Sequence, residues 1–228
     1  MLFPEKSNTM SLHSDIRRRR PTTILEVANL RCVRGDRLLF TGLNFSLVPC
    51  SVVQLTGANG SGKTSLLRII CGLLAATDGE VRWQGANIRS LGEDYTKSLS
   101  YVGHRNGVKD ELTAIENLRI SNGLAGISLT PAEAKAALQK IGLTARDTLP
   151  ARLLSEGQRR RLALARLLTS NSRLWILDEV LTSLDRSAVA IIKSLIGEHL
   201  QNGGMAIIAT HQELDLSAGS LQRLELAS

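Results

Sequence analysis

Apolar residues recur along the chain in short runs that have two different spacings. Compact runs rich in Val, Ile and Leu predict strands, and some are apolar enough to be covered on both faces of a parallel sheet. The predicted strands are 24–27, 43–48, 52–55, 80–83, 99–102, 174–177 and 206–209. From about residue 104 to 167 the spacing becomes helical. We therefore expect an α/β core with a helical subdomain inserted in its middle.

Three helices can be placed by the signals at their ends. The first follows the third predicted strand, covers 65–71 and ends at Gly72. The second begins with Thr130-Pro131-Ala132-Glu133, a capping box with proline at the first helical position, and ends at Gly142. The third is an amphipathic helix over 187–200.

The third predicted strand leads into a glycine-rich octapeptide, Gly57-Ala58-Asn59-Gly60-Ser61-Gly62-Lys63-Thr64. Its spacing is typical of a phosphate-binding loop, because glycines let backbone N–H groups approach phosphate oxygens and the following helix directs its positive dipole end at the same anion. We expect Lys63 to neutralise the β- and γ-phosphates and the Thr64 hydroxyl to hold Mg²⁺. An ordinary strand-to-helix turn needs no Lys-Thr pair, so the octapeptide indicates nucleotide binding.

Two carboxylates, Asp178 and Glu179, follow the apolar strand 174–177. The carboxyl ends of strands in an open α/β sheet are where ligands bind. Beside a phosphate-binding loop, we expect Asp178 to serve Mg²⁺ and Glu179 to polarise the attacking water as the catalytic carboxylate. Without such a loop, the pair would be ordinary surface charge.

Composition limits the class of protein. With 228 residues, of which 43% are hydrophobic and 3% aromatic, the chain fits one compact domain with an aliphatic core. No run approaches the roughly eighteen apolar residues of a bilayer span, and the N-terminus lacks an apolar signal-peptide segment. We therefore expect a protein of the cytosol or the membrane periphery. Cys32, Cys50 and Cys71 have no C-x-x-C spacing, so we expect reduced, partly buried thiols.

The net charge of +7 is concentrated in two arginine runs, 17–20 and 159–161. Such charge suits an anionic membrane face, nucleic acid or solubility. Because only 3 Phe, 2 Tyr and 2 Trp are present to stack on bases, we expect no nucleic-acid partner. Residues 1–23 predict a basic, flexible tail before a domain over 24–228, and Met10 is an alternative start.

A pentapeptide about twenty residues before Asp178, Leu154-Ser155-Glu156-Gly157-Gln158, precedes a helix rich in Arg and Leu. It resembles the signature motif of ABC ATPases, and its position between the two nucleotide motifs argues against a mere helix cap. Other landmarks of that family follow in order: a Q-loop-like position at His104, a D-loop-like Ser183-Leu184-Asp185, and a switch-like His211. The resemblance covers residue 24 to about 225.

The resemblance to ABC ATPases implies a phosphate-loop NTPase core with an inserted helical subdomain, about 104–167, and an antiparallel β subdomain. It implies that ATP and Mg²⁺ are cofactors, and that a second copy of the chain binds head to tail so that each signature completes the other's site. Catalytic roles fall on Glu179 and His211, and the metal is assigned to Thr64 and Asp178. The residues assigned to ATP are those of the octapeptide with Arg34, His104, Ser155, Gly157, Gln158 and Asp185.

Three positions depart from the family pattern. His104 stands where a Gln normally reaches Mg²⁺, and because imidazole nitrogen is a poor ligand for this cation, we expect it to act at a partner interface or through a water. Glu156 replaces a glycine and should point away from the phosphate, and Val180 replaces a proline. Adenine recognition is atypical as well, since Arg34 occupies the place of the stacking aromatic, and a guanidinium can also stack on adenine.

Several segments resemble the ATP-binding subunits of cytochrome c maturation transporters, also called haem exporters: 101–109, 112–118, 163–167, 174–179 and 209–214. This resemblance implies a peripheral protein at the cytoplasmic face of the bacterial inner membrane, docked on integral membrane subunits through the surface around 103–125, with no direct haem contact. The alternatives are the ATPase of another small-substrate exporter and a soluble, non-transport ABC ATPase. A pseudo-ATPase is disfavoured because Lys63, Asp178, Glu179 and His211 are all present.

Overall fold

The computed structural model describes residues 24–182, 184–216 and 218–226. The predicted tail over 1–23, the alternative start Met10, and Ser183 of the D-loop-like segment lie outside the described residues. The predictions on them stay predictions.

The described strands form two sheets. They are β1 (Leu25–Arg34), β2 (Arg37–Leu47), β3 (Ser51–Thr56), β4 (Asp78–Trp83), β5 (Ala86–Asn87), β6 (Leu99–Val102), β7 (Leu174–Asp178), β8 (Met205–Ala209) and β9 (Ser220–Glu225). An antiparallel sheet has the order β2-β1-β4-β5, and a parallel sheet has the order β6-β7-β8-β3-β9. The predicted combination of a parallel core and an antiparallel β subdomain is confirmed.

The helices occupy the connections between strands. They are α1 (Lys63–Ile70), α2 (Ile88–Leu91), α3 (Glu93–Thr96), α4 (Ala114–Leu124), α5 (Pro131–Lys140), α6 (Glu156–Thr169) and α7 (Arg186–Gln201), with 3-10 turns at Thr144–Arg146 and Ala151–Leu153. The predicted capping box of α5 is present, since Thr130 accepts from the Glu133 N–H and Glu133 accepts in return. α4 and α6 begin with the same device, at Thr113 and Ser155.

The parallel sheet separates two hydrophobic cores. Successive side chains of a strand point to opposite faces, and on β3 Val52 belongs to one core while Val53 belongs to the other. The first core contains the buried residues of α4 to α7, and the second contains those of α1 and of the antiparallel sheet. Because both faces are covered, β3, β7 and β8 are buried along nearly their whole length, as their apolar runs predict.

One prediction about burial needs correction, and one charged side chain is unexpectedly buried. Cys50 is exposed at a turn with φ of 61°, although Cys32 and Cys71 are buried as expected. Arg160, in the middle of the supposed surface arginine run, is only 4% exposed. Within the described part of the chain, no helix is both long and apolar enough to cross a bilayer.

The parallel direction of the strands brings the candidate residues to one edge. The glycine-rich loop follows β3, Gly103 and His104 follow β6, Glu179 follows β7, and His211 comes soon after β8. Since neighbouring parallel strands end on the same side, segments distant in sequence meet there, at the edge where open α/β sheets bind their ligands.

Candidate nucleotide-binding and catalytic site

The loop between β3 and α1 has room only for glycine at its start. Gly57 has φ of 138°, and a Cβ there would lie 2.6 Å from the carbonyl oxygen of Leu226 and 2.8 Å from Ser61 Oγ. Gly62, the N-cap of α1, has φ of 102°. Ser61 Oγ is buried and, within the described chain, has no hydrogen-bond partner. A buried, unpaired hydroxyl in a loop at a helix N-terminus suits an anionic ligand.

Lys63 lies at the centre of the candidate site. Its side chain is 6% exposed, and Nζ donates to the carbonyl oxygens of Gly57 at 2.7 Å and Ala58 at 3.1 Å. Nζ also lies 3.5 Å from His211 Nε2 and 3.9 Å from Glu179 Oε1. The fold therefore places the loop lysine beside both predicted catalytic side chains.

The two carboxylates after β7 differ in environment. Asp178 is 2% exposed, and its Oδ2 accepts a long hydrogen bond of 3.5 Å from Tyr101 Oη. The Glu179 side chain is 30% exposed and its backbone has φ of 51°, a left-handed conformation that is uncommon outside glycine. The Glu179 N–H donates to Ala209 O at 2.9 Å, and its carbonyl accepts from Thr182 Oγ1 at 2.6 Å. These bonds hold the turn that aims Glu179 toward Lys63.

Arg34 lies at the rim of the groove that runs along the loop. The groove has a volume of about 470 Å³ and is also lined by Leu39, Asn59, Gly60, Gly62, Lys63, Thr64, Ser65 and Glu179. Arg34 is exposed, and its Nη2 donates to Ala75 O at 2.9 Å. This bond holds the guanidinium at the rim, where the sequence predicts contact with adenine.

The signature segment forms the N-terminus of α6. Ser155 is the N-cap, its Oγ accepts from the Gln158 N–H at 3.3 Å, and Gln158 Oε1 accepts from the Ser155 N–H at 2.9 Å. Glu156 is exposed, and its Oε1 accepts from Asn106 Nδ2 at 2.9 Å. The carboxylate is therefore turned toward the loop after β6. None of these residues lines the groove beside Lys63 of the same chain.

Two other predicted site residues lie apart from the loop. His104 is exposed in a second groove of about 560 Å³, together with Glu156 and Arg159, and does not line the groove of Lys63. Asp185 is the N-cap of α7, and hydrogen bonds from the Ala188 N–H and the Ser187 hydroxyl hold its pKa below the usual range. Neither side chain lines the groove of Lys63 in its own chain.

Sequence reasoning overlooked Arg160 and Asn106, which connect the signature helix to the ends of β6 and β7. Burial lowers the pKa of the Arg160 guanidinium, and nearby Asp178 partly offsets this effect. The signal in the sequence was the middle one of three consecutive arginines, on a helix whose buried face is otherwise Leu and Ala.

Comparison with known proteins identifies relatives of the whole domain. Residues 40–182 match the ABC transporter family. The chain is 55% identical over 202 residues to the cytochrome c biogenesis ATP-binding export protein CcmA of Nitrosospira multiformis, which covers 89% of this chain and 98% of the relative. It is 52% identical over 207 residues to the protein of the same name from Nitrosomonas europaea, with coverage of 91% and 97%.

Solved structures support the fold. The dimeric, post-hydrolysis structure of the ATP-binding cassette MJ0796 with ADP and phosphate gives a TM-score of 0.78 at 22% identity, covering 90% of this chain and 97% of that one. The ADP conformation of the cassette MJ1267 gives 0.74 at 22% identity, with coverage of 91% and 90%. At this identity the likeness concerns the fold alone.

Proposed function

Because the chain belongs to the ABC transporter ATP-binding family and, within it, to the cytochrome c biogenesis ATP-binding export proteins, we propose specific roles for its site residues. The chain is an ATPase subunit of a cytochrome c biogenesis export system. The single observation that carries the assignment of roles is the convergence of Lys63 with Glu179 and His211 beside the glycine-rich loop.

Each of these side chains suits one task in ATP hydrolysis. The loop N–H groups and Lys63 bind the phosphates and stabilise the charge that develops on them. Glu179 accepts the proton of the attacking water as general base. His211 lies close enough to Lys63 to orient the γ-phosphate and the water. Arg34 stacks on adenine at the rim of the groove.

The oxygen ligands near Lys63 fit Mg²⁺. This cation prefers oxygen and is usually held by one or two protein ligands together with phosphate oxygens. Thr64 lines the groove, and the buried Asp178 carboxylate has one long hydrogen bond among the described contacts, from Tyr101. Mg²⁺ bound between Thr64 and Asp178 would neutralise phosphate charge. His104 does not join this set, because it faces the second groove.

The signature requires a second copy of the chain to reach nucleotide. Ser155 and Gly157 lie at a helix N-terminus that suits a phosphate, yet they do not line the groove of their own Lys63. A head-to-tail dimer lets Ser155 and Gln158 of one chain close the groove of the other, with Asp185 near the interface. The MJ0796 cassette, which has the same fold, was solved as a dimer, and this supports dimerisation.

The chain works with membrane partners, as its family membership implies. We assign their docking to the surface around 103–125, at the cytoplasmic face of the bacterial inner membrane. The second groove, lined by His104, Arg105 and Glu156 among others, lies at one end of this surface. Neither nucleic acid nor haem is assigned a contact with the chain.

Substitution of Glu179 tests the catalytic assignment. Glu179→Gln keeps the shape of the side chain but removes the base, so ATP binding should persist while turnover falls by roughly 10²-fold or more. The measurement is phosphate release by the purified complex. Glu198→Gln, on the exposed side of α7, is the matched control and should hydrolyse ATP normally. Near-normal hydrolysis by Glu179→Gln would remove it from the role of general base.

The biological role is tested in cells. A strain carrying Glu179→Gln at the wild-type protein level should make cytochrome polypeptides that lack covalently attached haem. Haem staining of membrane and periplasmic fractions measures this. Normal haem attachment would contradict the requirement for hydrolysis in cytochrome maturation and leave the ATPase assignment standing.

Cross-linking tests the composite site. In a Cys50→Ser background, which removes the exposed native thiol, Asn59→Cys and Leu153→Cys place thiols on the two exposed segments that the dimer brings together. A short bifunctional maleimide should join two chains, and ATP together with Glu179→Gln should increase the yield. Cross-links that form only within one chain, or a yield that does not change with ATP, would argue against the head-to-tail dimer.

A further inference from the structure

Arg160 connects three parts of the domain: the helix α6, the segment after β6 and the end of β7. It lies on α6, in the second turn after Ser155, and is 4% exposed. We propose that Arg160 is a positioning residue that couples the segment 103–106, and whatever binds it, to Asp178 at the end of β7. This inference rests on the proposed ATPase function, but it concerns a side chain that does not touch the nucleotide groove.

The two amino groups of the guanidinium reach the ends of neighbouring strands. Nη1 donates to Gly103 O at 2.7 Å, to His104 O at 3.2 Å and to Asn106 Oδ1 at 3.1 Å. Nη2 donates to Asp178 O at 3.1 Å. One planar group therefore fixes the distance between the segment after β6 and the residue whose carboxylate we assign to Mg²⁺.

The charge of Arg160 is held by neutral oxygens. Among the described residues, no carboxylate lies within the 4.0 Å of an ion pair, and all of its partners are backbone carbonyls and one side-chain amide. Burying a guanidinium without an ion pair is costly. The planar guanidinium donates in two directions and so fixes the spacing between two elements. A lysine ammonium on its flexible side chain cannot do this.

Asn106 ties the same segment to the start of α6. Its Oδ1 accepts from Arg160, and its Nδ2 donates to Glu156 Oε1 at 2.9 Å. Its backbone carbonyl accepts from Arg166 Nη2 at 2.6 Å. Glu156, one of the departures from the family pattern, is thus part of the connection. A displacement of 103–106 by a docked partner moves Arg160 and the signature turn together, and through Arg160 it moves Asp178.

The test compares Arg160→Lys with Arg161→Lys in the purified complex. Arg161 is the adjacent residue on α6, and its Nη1 donates to Gly142 O and not to Asp178 or the segment 103–106. Arg160→Lys should lower kcat by roughly tenfold, the scale of one lost hydrogen bond from a charged donor, with KM for ATP changed by less than about twofold. Arg161→Lys should leave both parameters unchanged.

Amide hydrogen exchange distinguishes a local loosening of the segment after β6 from a general loss of stability. In Arg160→Lys, amides of 103–108 should exchange faster, while those of the loop 57–64 keep the wild-type rate. A global increase in exchange would assign Arg160 a role in stability alone and overturn the proposal. If kcat and the amide exchange rate at 103–108 both equal the wild-type values, the proposal is overturned as well.

Asn106→Ala keeps the proposal falsifiable if Arg160→Lys does not fold. It removes one Arg160 contact and the Glu156 contact while leaving the buried arginine in place, so kcat should fall by a smaller factor and exchange at 103–108 should rise. Wild-type kcat and exchange in Asn106→Ala would contradict the coupling. If the wild-type complex and Arg161→Lys hydrolyse no ATP, the proposed function fails; if they do and Arg160→Lys hydrolyses equally well, only the coupling fails.

Discussion

Removal of the Arg34 guanidinium should weaken ATP binding through adenine and not through phosphate. Arg34 is exposed at the end of β1, with its Nη2 held by the carbonyl of Ala75 at the rim of the nucleotide groove. A cation over an aromatic face at an exposed site contributes about 0.5–1 kcal/mol, so Arg34→Ala should raise the Kd for ATP about two- to fivefold. A desolvated cation would contribute about 2 kcal/mol, so the exposure of Arg34 keeps the expected effect small.

The assay compares two ligands on the same variants. Isothermal titration measures the Kd for ATP and for tripolyphosphate, which has the phosphates but no base. Arg34→Ala should change the first value and leave the second unchanged, and Arg34→Tyr should restore ATP binding because a tyrosine ring also stacks on adenine. Arg31→Ala, an exposed arginine on the same strand that does not line the groove, is the matched control.

Equal losses for ATP and tripolyphosphate would refute the stacking role. Such a result would mean that Arg34 acts as a cation for the phosphates, or that its bond to Ala75 supports the loop. Failure of Arg34→Tyr to recover ATP binding would also count against stacking, since the ring replaces the contact but not the charge.

Three further predictions concern single side chains elsewhere. His104→Gln should preserve Mg²⁺-dependent ATP binding and hydrolysis in nucleotide titrations and phosphate-release assays, and loss of binding would show that the imidazole reaches the metal site. Burial lowers the pKa of His199, which stacks on Trp175, so the unfolded chain binds the proton more readily than the folded chain. The free energy of unfolding should therefore fall as pH drops below about 6.5, by less than about 1.4 kcal/mol per pH unit. Urea unfolding should show this decline in the wild type but not in His199→Phe. Gly57→Ala should abolish nucleotide binding and cost about 1–3 kcal/mol in urea unfolding, whereas Gly123→Ala, where a Cβ meets nothing within 4 Å, should not destabilise the fold.

The sequence predicts those elements that form a continuous apolar run or carry an end signal. β7 and β8 are apolar because both faces are covered, and α5 begins at a capping box. β9 escaped prediction because it is an edge strand whose side chains are mostly exposed, so it leaves no apolar pattern. Its pairing with β3 is set by backbone hydrogen bonds, which carry no signature in residue type.

The candidate site was predictable where a motif is contiguous and not where contacts are tertiary. The glycine-rich loop and the Asp178-Glu179 pair can be recognised from spacing alone. Arg160 was interpreted as surface charge because neighbouring arginines on a helix usually face water, and only the packing of α6 against the strand ends buries it. The segment that places His104 in the second groove is likewise fixed by contacts distant in sequence.

The two hydrophobic cores on opposite faces of the parallel sheet have an evolutionary consequence. The buried residues beneath the glycine-rich loop, such as Leu66, belong to one core, and those of the helices α4 and α5, such as Leu138, belong to the other. Substitutions that share no contacts have nearly additive effects on stability. A lineage can therefore change the packing of α4 and α5 while the core beneath the glycine-rich loop stays packed as it was. The sheet thus separates changes in the helical subdomain from the residues that support the glycine-rich loop.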